Sequence, residues 1–186
     1  MPLEHAILAF LDFGPQTGYD LKKGFDRSVS HFWSTTQSHI YKALEKLEEQ
    51  GFTESKIIPQ EGKPNRKEYH ITKAGRAELK NWLSTPLPLS PVREAWMIQL
   101  FFSHPLSTEE IAQLVETRKT EVANAIEALG QAQAQIEGQK KEGPPGMERM
   151  VALWQLTLDY GSEYYKSEHA WLEKTLKRVS KLPPLK

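Results

Sequence analysis

Along the N-terminal half of the chain, apolar positions keep helical spacing, switch to strand-like alternation, and then return to helical spacing. Leu3, Ala6, Ile7, Phe10 and Leu11 mark one face of a first helix that Gly14-Pro15 stops. Thr17-Gly18-Tyr19-Asp20 has the form of a capping box and predicts a second helix reaching about Ser28. The cluster Ser34-Thr35-Thr36-Gln37 offers N-caps for a third helix, whose buried face is Ile40, Leu44 and Leu47 and whose end is Gly51. Phe52 to Ile58 and Arg66 to Ile71 are β-branched and aromatic, and the turn formers of PQEGKPN separate them into a hairpin. Thr72 caps a fourth helix through Leu83, with Gly75, Leu79 and Trp82 on one side.

The stretch TPLPLSP (85–91) holds three prolines, which neither a helix nor a central strand tolerates, so it separates a first domain (1–85) from a second (86–186). Ser90 and Ser107 are candidate helix starts beyond it. From Thr108 to about Lys141, Ile111, Leu114, Val115, Val122, Ile126, Leu129 and Ile136 recur at three or four, a helix of roughly 50 Å. Gly143-Pro144-Pro145-Gly146 breaks it, and a second long helix runs from about Met147 to Ser180, so the two fold back as an antiparallel pair. The fold class is mainly α with a small β-hairpin.

The last helix carries two apolar stripes. Val151, Trp154, Leu158, Gly161, Tyr165, Leu172 and Val179 follow a seven-residue repeat, while Leu153, Tyr160, Tyr164 and Trp171 lie on another side. One stripe suffices for the partner helix; the other needs a second surface, for which a second copy of the chain is the economical source. A homodimer is therefore expected, with Val151, Trp154, Leu158, Tyr165 and Leu172 at its interface. A compact monomer with the helices wrapped on the first domain is the alternative.

Composition changes this picture little. The chain has 186 residues, 39% hydrophobic and 26% charged, with Lys+Arg and Asp+Glu both at 24, so any electrostatic footprint must be local. The absence of cysteine excludes disulfides, thiolate nucleophiles and cysteine-ligated metals, and permits a reducing compartment. The apolar run at the start is about eight residues long without a basic flank, which reads as a buried helix and neither a signal peptide nor a membrane span. A cytoplasmic location is expected.

Charge does segregate by segment. Residues 62–80 hold six Lys or Arg against two Glu, a local balance of +4. Three helices followed by a basic hairpin is the order of a winged helix-turn-helix, whose third helix enters the DNA major groove by its first turns. The outward residues there are Thr36, Gln37, Ser38, His39, Tyr41 and Lys42, hydrogen-bonding types suited to base edges and phosphates. Lys63, Asn65, Arg66 and Lys67 occupy the wing, where cations hold the DNA backbone. Tyr69 is expected to pack beneath it.

The segments IYKALEKLEEQGF and GKPNRKEYHITKAGRAEL, preceded by GPQTGYDLKKGFDRSVSHFW, resemble the PadR family of bacterial transcriptional regulators over residues 3–84. The shared elements are a Tyr-x-x-Leu-x-x-Leu-x-x-x-Gly helix, starting here at Tyr41, and a Gly-Lys/Arg-Pro-x-Arg-Lys-x-Tyr wing, starting here at Gly62. The C-terminal half is similar to the longer-tailed branch of AphA-like virulence activators, which implies an antiparallel dimerisation domain. The resemblance implies a recognition helix over Gln37 to Gln50 and a wing tip over Gly62 to Lys67. His39 departs from the small residue or glycine that the family commonly has there, so base preference is expected to differ. Some members release DNA on binding aromatic compounds, which implies a small aromatic effector as a possible partner.

Other chemistry has little support. The six histidines His5, His31, His39, His70, His104 and His169 show no metal-ligand spacing, and no nucleophile elbow, phosphate loop or dinucleotide fingerprint is present. No cofactor and no enzymatic activity are expected. Trp33, Trp82, Trp96, Trp154 and Trp171 are read first as core, and second as the lining of a cavity for a planar effector between the dimer and the DNA-binding domains. The sum is a sequence-specific DNA-binding regulator, homodimeric on a pseudo-palindromic operator. A winged-helix module that binds an acidic protein partner is the alternative.

Overall fold

The computed structural model describes residues 2–30, 32–59, 62, 65–142 and 147–184, side chains within 138–142 excepted. Two compact units divide inside the proline-rich run, Met1–Ser90 and Pro91–Lys186.

In the first unit, α1 (Pro2–Asp12), α2 (Gly18–Ser28) and α3 (Gln37–Glu49) surround a core that includes Leu8, Leu11, Leu21, Phe25, Ile40 and Leu44. Each helix end has a local cause. Thr17 accepts the Asp20 N–H while the Asp20 carboxylate accepts the Thr17 N–H, closing the capping box of α2. Gly51, at φ +72°, ends α3, and Phe52 N–H and Gly51 N–H return to the carbonyls of Leu47 and Glu48, a Schellman closure. Thr72 caps α4 (Lys73–Ser84).

The sheet has one strand more than the hairpin read from the sequence. β1 (Gln16–Thr17), β2 (Thr53–Ile58) and β3 (Arg66–Ile71) lie in the order β1-β3-β2, all antiparallel. β1 pairs Gln16 with Tyr69 and Thr17 with Glu68, which seats the start of α2 directly on the wing's central strand. Two residues are too few for an alternation pattern to reveal.

In the second unit, α5 (Ala95–Phe101) has its N-cap at Glu94, not at Ser90. Ser107 caps α6 (Thr108–Glu142), exchanging hydrogen bonds with Glu110, and α7 (Glu148–Val179) follows. The expected break at 143–146 lies outside the described residues. Arg118 meets Glu168 and Gln133 meets Asp159, so advance along α6 is retreat along α7 and the pair is antiparallel. Ile111, Val115 and Val122 pack with Leu172 and Val179. Among the described residues, no helix is long and apolar enough to cross a membrane.

This packing corrects the expected dimer interface. Val151, Leu158 and Leu172 are 1%, 3% and 0% exposed within a single chain, so they are spent on the fold and unavailable to a partner. Trp154 and Tyr165 are half-buried at the edge of the same stripe. The seven-residue repeat reports the α6 seam because the nearest apolar surface to a long helix is the one covalently joined to it. The other face, Leu153, Leu156, Tyr160, Tyr164 and Trp171, is exposed.

Candidate nucleic-acid interface

Burial of Ile40, Ala43, Leu44 and Leu47 turns the opposite side of α3 outward. Thr36, Gln37, Ser38, His39, Tyr41 and Lys42 are all exposed. Thr36 is also the N-cap: its hydroxyl accepts the His39 N–H at 3.3 Å and its carbonyl the Ile40 N–H at 3.1 Å. The Gln37 and Ser38 N–H groups precede the first intrahelical bond, at the positive end of the helix dipole. Such an end attracts a phosphate oxygen.

Tyr41 is fixed in place by a glycine. A Cβ at Gly18 would stand 2.6 Å from the Tyr41 ring, so the ring lies flush on the first residue of α2 while remaining 40% exposed. α2 and α3 thereby cross closely at the end that carries the polar face.

The wing's cations are held by carboxylates of α2 and α3. Arg66 Nη2 lies 2.7 Å from Asp20 Oδ2, and Lys67 Nζ lies 3.0 Å from Glu48 Oε2. Lys67 also stands over the buried Tyr69 ring, 4.9 Å from its centroid. Asn65 is exposed, and Lys63 lies outside the described residues. Asp20 is held below the usual carboxylate range first by the Thr17 hydroxyl and further by Arg66. Glu48 is lowered first by the Ser55 hydroxyl and then by Lys67, whose own ammonium is stabilised by Glu48. Separations of 46 and 19 residues left no pattern in the sequence from which these pairings are readable.

The wing base is thus tied at two places, Arg66 to the first turn of α2, whose Gly18 lies against Tyr41, and Lys67 to Glu48 in the last turn of α3. The ion pairs are half exposed, of a kind worth only about 0.2–1 kcal/mol each, so exchanging a carboxylate for a phosphate costs little. Among the described residues no cluster of His, Asp and Glu is placed to hold a metal ion.

The tryptophans are dispersed. Trp82 stacks on His5 at 4.7 Å, Trp33 is exposed, and Trp96 meets Trp171 edge-on at 5.8 Å. The latter two line a cavity of about 600 Å³ that lies wholly within the second unit, among residues 92–97 and 160–171.

Comparison with known proteins agrees with both units. Residues 7–81 match the transcriptional regulator PadR-like family, and residues 92–180 match the virulence activator alpha C-terminal domain. A probable transcriptional regulator of Mycobacterium tuberculosis is 41% identical over 93 residues, which are 50% of this chain and 48% of that one. The chain thus spans about half the length of that relative. The negative transcriptional regulator PadR of Bacillus subtilis is 28% identical over 96% of this chain and 98% of its own. Its crystal structure with operator DNA superposes with a TM-score of 0.78, at 27% identity over 96% of this chain and 99% of that one. The structure of the same protein with p-coumaric acid gives 0.73, at 26% identity over 96% and 95%. The Vibrio cholerae virulence activator AphA shares the fold, with a TM-score of 0.73 at 23% identity over 97% and 99%.

Proposed function

The chain belongs to the PadR-like family of transcriptional regulators, and on that premise we propose that it binds double-stranded DNA sequence-specifically, as a homodimer on a pseudo-palindromic operator. The observation that carries this reading is the exposed polar face at the start of α3, together with wing cations that are half exposed and oriented by carboxylates of α2 and α3. Gln37, Ser38 and His39 address base edges from the first turn; Thr36 caps that turn. Tyr41 and Lys42 reach the flanking phosphates. Asn65, Arg66 and Lys67, with Lys63, grip the backbone across the wing, releasing counterions as they do so.

The dimer forms through the exposed face of α7, where Leu153, Leu156 and Tyr160 recur at helical spacing and are 52%, 64% and 72% exposed. Charge-free apolar side chains of that size, in register along one helix face, call for a second copy of the same surface. Half-sites then lie about one helical turn, roughly 34–36 Å, or a multiple of it apart. A small aromatic compound acts as effector; PadR of Bacillus subtilis, crystallised with p-coumaric acid, supports that reading.

Selection of bound duplexes from a random pool, by the purified protein at near-physiological salt, tests the proposal. An enriched two-fold-symmetric motif is expected. Binding with no sequence preference and no symmetry would overturn it in favour of a module that recognises acidic protein.

A further inference from the structure

Burial of Ile40, Ala43, Leu44 and Leu47 fixes the direction in which α3 faces outward. At 3.6 residues per turn, Ser38, Lys42 and Glu45 all lie within about 30° of the direction opposite that buried face. The exposed face therefore does not end with the first turns. It continues through Glu45, one turn past Tyr41, and Glu45 is itself exposed.

Ser38, Tyr41, Lys42 and Glu45 are spaced i, i+3, i+4 and i+7. A recognition helix lying along the major groove reads base edges through that same spacing. The rise from Ser38 to Glu45 is about 10 Å, or about three base-pair steps. All four side chains thus fit within one half-site.

Glu45 carries an uncompensated charge. Among the described residues it has neither a hydrogen bond nor an ion pair. Neighbouring cations are engaged elsewhere, Lys46 with Glu4 at 3.1 Å and Lys67 with Glu48 at 3.0 Å. An ionised carboxylate can only accept hydrogen bonds, which restricts it severely beside DNA. Phosphates repel it, and so do N7 and O6 of guanine and O4 of thymine, all of which are acceptors. Donors on the groove floor are the amino groups of cytosine and adenine, and that of adenine lies beside its N7 acceptor. Cytosine alone presents a donor with no acceptor on the same edge.

Resting on the DNA-binding reading above, we infer that Glu45 is a specificity-determining residue, whose carboxylate accepts from the N4 amino group of one cytosine in each half-site. That cytosine lies about three base-pair steps from the pair addressed by Ser38. Rejection matters as much as the bond. A free carboxylate held against an acceptor edge lowers affinity for unmatched DNA, so one side chain widens the gap between operator and bulk duplex.

The test is selection from a random duplex pool by the full chain, run in parallel for wild type, Glu45→Ala and Glu45→Gln, with circular dichroism on each. The position is exposed and both replacements favour helix, so helix content and melting temperature are expected to stay unchanged. Wild type should enrich a motif with a fixed cytosine in each half-site, and thymine in its place should weaken binding roughly tenfold or more. Glu45→Ala should lose the preference at that base pair alone, keep the rest of the motif and bind unmatched DNA more tightly. Glu45→Gln should move the preference at the same position from cytosine to adenine, whose N6 and N7 a carboxamide meets together. Glu49→Gln, one turn further along the same exposed face, removes an equal charge and should leave the motif unaltered. A motif that Glu45→Ala leaves unchanged, or weakens equally at every position, overturns the inference while the DNA-binding reading stands. A wild type that enriches no motif overturns both.

Discussion

Arg66 at the base of the wing and Asp20 in the first turn of α2 meet at 2.7 Å, so the residue that closes the α2 capping box also orients a wing cation. A single carboxylate thereby couples helix termination to the geometry of the hairpin. The Lys67–Glu48 pair repeats the arrangement on the α3 side. The wing base is thus pre-positioned, which lowers the ordering cost of gripping a backbone.

Replacement of both Arg66 and Lys67 by alanine should weaken binding to all duplexes alike, and flatten the plot of log affinity against log salt by about one unit per lost phosphate contact. Replacement of Gln37 or His39 should act differently, relaxing preference at one base pair by about 1–3 kcal/mol. Titrations at several salt concentrations, on operator and on scrambled DNA, distinguish these outcomes.

Acid should loosen the first unit. The carboxyls of Glu4, Asp20 and Glu48 are all held below their ordinary values, so each contributes stability above the unfolded-state pKa that is lost as pH falls through the lower folded-state value. The melting temperature should be flat near neutrality and decline below about pH 4. Glu48→Gln should make that decline shallower; an unchanged acid limb would mean that the Ser55 and Lys67 contacts are not retained in solution.

Gly75 is expected to be intolerant. A Cβ there would stand 2.2 Å from the Phe52 carbonyl oxygen, a backbone atom that also accepts the Thr72 N–H at 3.0 Å and so cannot withdraw cheaply. Gly75→Ala should cost about 1–3 kcal/mol or more, despite alanine's better helix propensity. Urea denaturation measures it directly, and a stabilised variant would contradict the close packing of α4 on the α3–β2 junction.

The two faces of α7 should separate by substitution. Leu153→Asp with Leu156→Asp is expected to yield folded monomers with undiminished helix content, whereas Leu172→Asp, placing a charge at a fully buried position, should unfold the second unit. Sedimentation read beside circular dichroism decides. Dimers that persist in the Leu153/Leu156 variant would move the interface elsewhere.

Local chemistry alone determined much of this protein. Thr17, Thr36 and Thr72 each cap the helix predicted from their position, Gly51 ends α3, and the spacing of Ile40, Leu44 and Leu47 set which side of α3 faces out. These outcomes depend on residues within one or two turns of one another, where propensity and capping act. The long helices of the second half were legible for the same reason, since a stripe sustained over thirty residues leaves little ambiguity.

Only tertiary structure decided which groups meet across the chain. The two-residue β1 exists because β3 offers it an edge, not because Gln16 and Thr17 have strand character. Asp20 is legible in the sequence as a capping-box residue and Glu48 not at all, and only the sheet brings Arg66 and Lys67 to them. Both apolar stripes of α7 were visible in the sequence, yet choosing between the intramolecular seam and the free face required knowing where α6 lies. Periodicity specifies that a face must be buried; the partner that buries it is fixed by three-dimensional proximity, which a one-dimensional pattern does not contain.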